Sequence, residues 1–273
     1  MLFRTDYHKY FALSSLRAAL TIPSGMAKVS PLKVRVFNAC RLRFRYQYVD
    51  RIRSRLRIAD TAGSLVHRVL CDIYSKVPRN ERTRDRLLQI FDETWEALSP
   101  RYLRMEGVAE LRVSSAKELE HFAEQHELRA EPLMVEPYFQ VDLTPDVTLF
   151  GRVDRIDELS GGSLKIIDYK TGSAPEEIDP SQLHLYAIMI ESELGRLVSE
   201  ISFWFLGDGG VWTTDFTDDD REKTRADLFA AVEAMVTTRK FPPTIAPQCG
   251  HCPYLHACEF RDEIAKRREQ EDW

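Results

Sequence analysis

The sequence predicts an α/β (α+β) protein: one mixed central sheet flanked by helices, with a helical insert and a C-terminal cysteine cluster. Three observations carry this. Residues 147–159 and 163–170 are strand-like runs on either side of Ser160-Gly161-Gly162, the pattern of a β-hairpin. Residues 61–77 place Leu65, Val66, Val69, Leu70 and Ile73 at helical spacing. A third stretch combines a helix start at Asp179-Pro180-Ser181-Gln182, a second hairpin (residues 200–206 and 210–214) and an amphipathic helix over residues 218–239.

Taken in order, residues 1–29 form an N-terminal extension, either a short helix on the core or a loose segment, and Met26 is an alternative start. Ser30-Pro31 reads as an N-cap followed by proline at the first helical position. Residues 32–57 carry Lys33, Arg35, Arg41, Arg43, Arg45, Arg51, Arg53, Arg55 and Arg57 against the single acid Asp50, with Phe37, Phe44, Tyr46 and Tyr48 interleaved. Cations that hold phosphates suit single-stranded nucleic acid. For the aromatics the plainer reading, core residues of an amphipathic helix, is preferred. On the next helix His67, Cys71 and Tyr74 share a stripe, and Cys71 reads as a small buried apolar residue. Residues 81–126 form a charged helical insert, interrupted near Ser99-Pro100, from which no chemistry can be read. Residues 131–143 resume strand character.

Length and composition narrow the function. A chain of 273 residues with 44% apolar and 30% charged residues is globular in type. Its formal net charge of -5 argues against a wholly basic nucleic-acid coat, though not against a local basic groove. No apolar run approaches the ~20 residues that span a bilayer, and Arg4, Asp6, His8 and Lys9 break up any signal-like start, so a cytoplasmic location is expected. In that compartment five cysteines point to metal or redox chemistry before disulfides.

The chemistry concentrates on the first hairpin. Alternation puts Arg152, Asp154 and Ile156 on one face of its first strand. On the second it puts Ile166, Asp168 and Lys170 on one face, with Ile167 and Tyr169 opposite. If Asp154 faces the same way, two carboxylates and an ammonium converge, and clustered carboxylates call for a cation such as Mg²⁺. Gln182 and Tyr186, four apart on one helix face, can act together, although Gln182 alone could simply close a capping box. Near the C-terminus, Cys249, Cys252 and Cys258 follow a C-x2-C-x5-C metal-knuckle spacing. Three thiolates need a fourth ligand: Cys40 is the candidate, with His251 or His256 as alternatives in a zinc site.

The combination GRVDRID, IIDYKTG and QLHLY resembles the nuclease motif of the PD-(D/E)XK superfamily, and is most similar to its RecB-like branch, including CRISPR-associated and AddB-type members. The resemblance implies a restriction-endonuclease-like core over residues 30–248, with the insert at about 81–126 and a cluster segment at 249–273 joined by Cys40. By position it implies Asp154 and Asp168 as metal-binding acids, the Tyr169 carbonyl as a further ligand, and Lys170 as the catalytic lysine. Gln182 and Tyr186 match the QxxxY motif. GSLVHRVL is similar to a motif whose histidine, here His67, ligates metal. Glu136 stands where relatives carry an upstream acid, and an edge-strand acid is an equal reading. FNACRLRFRYQYV resembles the N-terminal Cys-Pro segment, with Arg41 in place of proline. One early and three late cysteines resemble an iron–sulfur staple, and [4Fe–4S] is favoured over zinc. The implied activity is Mg²⁺- or Mn²⁺-dependent hydrolysis of DNA, single-stranded or end-containing, in repair, recombination or CRISPR adaptation. Arg41, Arg43, Arg45, Arg51, Arg53 and Arg55 would line the DNA path. No GxxxxGK[ST] occurs, so unwinding would need a helicase partner. The rival readings are a non-catalytic DNA-binding scaffold and an accessory subunit with a structural metal.

Overall fold

The computed structural model describes residues 27–55 and 57–271. Residues 1–26 of the expected extension lie outside them. Ala27–Val29 is strand β1, which runs parallel to β4 (Val147–Arg152). With β3 (Tyr138–Thr144) they form a three-stranded sheet in the order β1-β4-β3. A five-stranded sheet follows the order β2-β5-β6-β7-β8. Its strands are β2 (Met134–Val135), β5 (Arg155–Glu158), β6 (Leu164–Lys170), β7 (Val198–Phe205) and β8 (Val211–Asp215). Only β6 and β7 are parallel in this sheet, so the fold is mixed α/β as expected, with two mixed sheets in place of one.

The expected long hairpin strand is corrected in one respect. Residues 147–159 form two strands, and only β5 pairs with β6. The break falls at Val153-Asp154, opposite a break at Glu136-Pro137 between β2 and β3. Two hydrogen bonds carry the ladder across: Glu136 N–H donates to the Asp154 carbonyl (2.9 Å) and Val153 N–H to the Pro137 carbonyl (3.1 Å). Pro137 has no N–H to give. Glu136 takes a left-handed φ of 52°, a conformation costing roughly 1–3 kcal/mol outside glycine. The kink also resets the alternation. Val153 and Ile156 sit in the same core, whereas an unbroken strand would send them to opposite faces. Arg152 is exposed, and it does not share a face with Ile156.

Beyond the break β6 alternates as its sequence implies. Ile166 packs in the core under α7 (Ser181–Leu194) and α8 (Asp218–Thr237), and Ile167 and Tyr169 pack in a second core on the other side. That second core belongs to α3 (Ile58–Lys76), α4 (Arg84–Glu96) and α6 (Val108–Gln125), with the short α5 (Pro100–Leu103) at the Ser99-Pro100 interruption. Helix α3 buries Leu65, Val66, Val69, Leu70 and Ile73. At about 1.5–3 kcal/mol each, their burial outweighs the roughly 1 kcal/mol of a side-chain cap. That settles why α3 forms although Arg57 at its N-cap makes no capping bond. Cys71 is half-buried rather than buried: it lies one position outside this stripe, beside Ser75.

The basic N-terminal stretch is not one helix. Ser30 caps α1 (Pro31–Ala39) through Lys33 N–H (3.2 Å). The chain then goes extended at Cys40, whose sulfur accepts from Arg43 N–H (3.4 Å) and caps α2 (Arg41–Phe44). A π-helical turn, Arg45–Val49, follows, and residues 51–55 run as coil. Phe37, Phe44 and Tyr46 are buried, so these aromatics are core. A charged helix, α9 (Arg261–Glu271), ends the described chain.

Candidate active site

The two strand breaks, β6 and α3 meet at one place. Asp154, turned by the kink, directs its carboxylate toward α3. Its Oδ1 lies 3.1 Å from His67 Nδ1, and its Oδ2 accepts the Tyr169 N–H at 2.8 Å. Tyr169 thus enters the site through its backbone N–H, with its ring in the α3 core. His67, Glu136 and Asp154 each offer a donor atom within 4.8 Å of the others, and among the described residues no other group of three His, Cys, Asp or Glu does so. Asp168 is next to this set, not inside it. Gln182 Nε2 donates to its Oδ1 (2.9 Å), and its buried Oδ2 faces Lys170 Nζ at 2.5 Å without hydrogen-bond geometry.

The electrostatics follow from crowding. Burial, then the Asp154 charge, pushes the Asp168 carboxyl up to about 6, with Lys170 pulling the other way. Burial and Asp154 likewise push Glu136 up to about 6. Burial works against protonation of His67. The hydrogen bond and charge of Asp154, with Asp168 and Glu136, outweigh it and hold the imidazole above its ordinary value. Burial and neighbouring carboxylate charge disfavour the ionised forms of Glu136 and Asp168, and the site is short of positive charge.

Helix α7 completes the site from the other face of the sheet. Lys170 Nζ donates to Gln182 Oε1 (3.1 Å), and Gln182 Nε2 also donates to the Tyr186 hydroxyl (3.2 Å). Gln182 therefore does not close a capping box. The helix starts at Ser181, one residue later than the sequence suggests, and Asp179 takes the Ser181 N–H (3.0 Å). The Lys170 ammonium also lies 4.8 Å from the centre of the Phe203 ring.

Two supporting features were not read from the sequence. Gly151 allows Tyr186 against the sheet: a Cβ there would stand 2.9 Å from Tyr186 Cε1 and 3.4 Å from Met189 Cε. A glycine inside a strand is the signal that could have found it. The turn after Lys170 is held by the insert, where Glu118 on α6 accepts the Gly172 N–H at 2.8 Å. Nothing local marks Glu118.

The cysteines and arginines are sorted by the fold. Cys40, Cys249, Cys252 and Cys258 line one small cavity with Arg43, Tyr46 and Tyr254, and no three of the sulfurs come within 4.8 Å of one another. Hydrogen bonds fasten the cysteine segment to the N-terminal stretch: Arg55 N–H to the Pro253 carbonyl (3.0 Å) and Arg57 Nη1 to the His251 carbonyl (2.8 Å). Of the arginines, Arg41 stacks on Phe37 (5.0 Å), Arg43 faces the cysteines and Arg45 pairs with Asp50 (3.0 Å). Arg51, Arg53 and Arg55 are exposed on the coil.

The sequence model of the PD-(D/E)XK nuclease superfamily matches residues 28–259. The chain belongs to that superfamily. No curated protein sequence matches it. Among solved structures it is similar to a "Putative exonuclease" from Eubacterium rectale, at 11% identity and a TM-score of 0.48, covering 92% of this chain and 94% of that one. It is also similar to SSO0001, at 12% identity and a TM-score of 0.41, covering 94% and 98%. Both scores fall below 0.5, and the assignment rests on the sequence match.

The Gly151 contact is directly testable. Gly151→Ala should force the Tyr186 ring away and destabilise the fold by about 1–3 kcal/mol, as overpacking does. Chemical denaturation of both proteins measures it, and equal midpoints would show that the ring has room to move.

Proposed function

We propose that the chain is a divalent-metal-dependent nuclease that hydrolyses phosphodiester bonds in DNA, acting on single strands or ends. The observation that carries this reading is the donor set of His67, Glu136 and Asp154, with Asp168 beside it, its buried Oδ2 facing the Lys170 ammonium. One imidazole nitrogen and several carboxylate oxygens suit Mn²⁺ or Mg²⁺, and the acids' upward shifts show the charge that such an ion would offset. The fit favours Glu136, alongside His67, Asp154 and Asp168, as a ligand. When bound, the ion supplies Lewis acidity toward a phosphate oxygen and acidifies water.

The chain's own groups do the rest. Tyr169 N–H fixes the Asp154 carboxylate, and so its direction toward the donor set. Gln182 holds Asp168 with its amide N–H and Lys170 with its carbonyl, so both ends of the DxK pair are positioned by one side chain. Lys170 stands beside Asp168, half-buried. There it orients water and offsets charge building on the phosphate. Arg51, Arg53 and Arg55, exposed and on the coil leading to α3, suit phosphate contact. The role in repair, recombination or CRISPR adaptation, and a helicase partner, belong to this reading through the RecB-like motifs. Among the described residues no helix is long and apolar enough to cross a membrane.

The same reading includes a structural [4Fe–4S] cluster on Cys40, Cys249, Cys252 and Cys258. What supports it is the cavity they share and its spacing. A tetrahedral zinc with Zn–S near 2.3 Å draws its sulfurs to about 3.8 Å apart. No three of these sulfurs lie within 4.8 Å of one another, and the cluster is the reading that the C-x2-C-x5-C spacing favours.

Two measurements test the proposal. Lys170→Ala should abolish cleavage of end-labelled and circular single-stranded DNA in Mn²⁺ while the fold survives. Unchanged cleavage by that variant would remove the activity from this site. Anaerobically purified protein should contain iron and acid-labile sulfide, both lost with Cys40→Ala. Zinc without sulfide would refute the cluster and leave the cysteine staple standing.

A further inference from the structure

The three-stranded sheet buries one face, and the other, closed at Thr148, opens toward the end of β3 and β4 that adjoins the metal-ligand set. Phe139, Val141 and Leu149 fill the core on the α7 side, and Gly151 meets α7 there. On the opposite face, register pairs Tyr138 with Arg152 and Gln140 with Phe150 across the two strands. Cross-strand partners share a face, so these four form one patch. Tyr138 is 54% exposed, Gln140 and Arg152 are exposed, and Phe150 is half-buried. The Tyr138 and Phe150 rings lie 6.4 Å apart, tilted by 42°. Arg152 Nη1 donates to the Glu136 carbonyl (2.9 Å) and its Nε lies 3.8 Å from a Glu136 carboxylate oxygen, which leaves Nη2 for a ligand.

The placement gives the patch its meaning. Tyr138 is two residues from Glu136 and Arg152 two from Asp154, each pair set across the strand break. Aromatic faces with a neighbouring cation are what an unpaired base and its phosphate require, and a paired base inside a duplex cannot present its face to them. We propose that Tyr138, Phe150 and Arg152 form a stacking platform for the unpaired base next to the scissile phosphate of a single-stranded substrate. The proposal rests on the nuclease reading above. The platform is continuous with the metal-ligand set through Glu136 and Asp154, and its cation matches a phosphate rather than an apolar partner.

The test measures binding of a labelled oligothymidylate, and of a blunt duplex, to the Lys170→Ala protein at one salt concentration. Adding Tyr138→Ala should weaken single-strand binding roughly ten- to a hundredfold. Tyr138→Phe should preserve it, and duplex affinity should stay unchanged. Undiminished single-strand binding by Tyr138→Ala overturns the platform, as it would if the face docked a protein instead. An equal loss on duplex also overturns it, since that marks general damage. The two readings fail separately. A wild-type chain that cleaves no DNA in Mn²⁺ sinks the nuclease reading, whereas cleavage and single-strand binding indifferent to Tyr138 sink only the platform.

Discussion

The structure depends on a paired interruption of two neighbouring strands. Pro137 cannot donate to the ladder and Glu136 adopts a left-handed backbone, so β2 and β3 cannot be one strand. Val153-Asp154 breaks opposite them, and two hydrogen bonds keep the halves in register. The break turns the Asp154 side chain toward α3 and brings Glu136 beside it. The strain at Glu136, roughly 1–3 kcal/mol, is small against the buried cores on both faces. The fold can therefore hold a locally unfavourable backbone where three acids must meet.

Everything around the break serves to keep buried charge tolerable. Asp154 is satisfied by an N–H and an imidazole, and Asp168 by an amide and an ammonium. Yet Asp168 and Glu136 are still pushed up to about 6, by burial first and by the Asp154 charge second. A site that only stabilised the fold would not gather acids in this way. Gln182 is the hinge of the arrangement, since it joins α7 to both members of the DxK pair and to Tyr186, and Gly151 leaves the space that lets Tyr186 reach it.

Much of this was legible in the sequence, and the parts that were not have physical reasons. The placement of Asp168 and Lys170 on one face of β6 follows from a period of two and needs no tertiary information. The kink at Asp154 does not, because residues 147–159 read as continuous strand and the cause lies on the partner strand, at Pro137. The charge of the 41–57 stretch could be counted, but its use could not. Arg45 is taken up by Asp50, Arg41 by Phe37, and Arg43 faces the cysteines, which only the fold decides. Gln182 looked like a cap because Asp-Pro-Ser-Gln is a local pattern, and a tertiary partner, Asp168, claimed it instead. Cys40 could be tied to the late cysteines because three thiolates lacked a fourth, and the fold puts all four on one cavity.

The strand break as the origin of the metal site is tested most directly by locating Mn²⁺ through its anomalous scattering in crystals of the wild-type protein. The expected peak lies among His67 Nδ1 and the carboxylates of Glu136, Asp154 and Asp168. A peak elsewhere in the chain, or none at saturating Mn²⁺, would contradict the assignment of these residues as the metal centre.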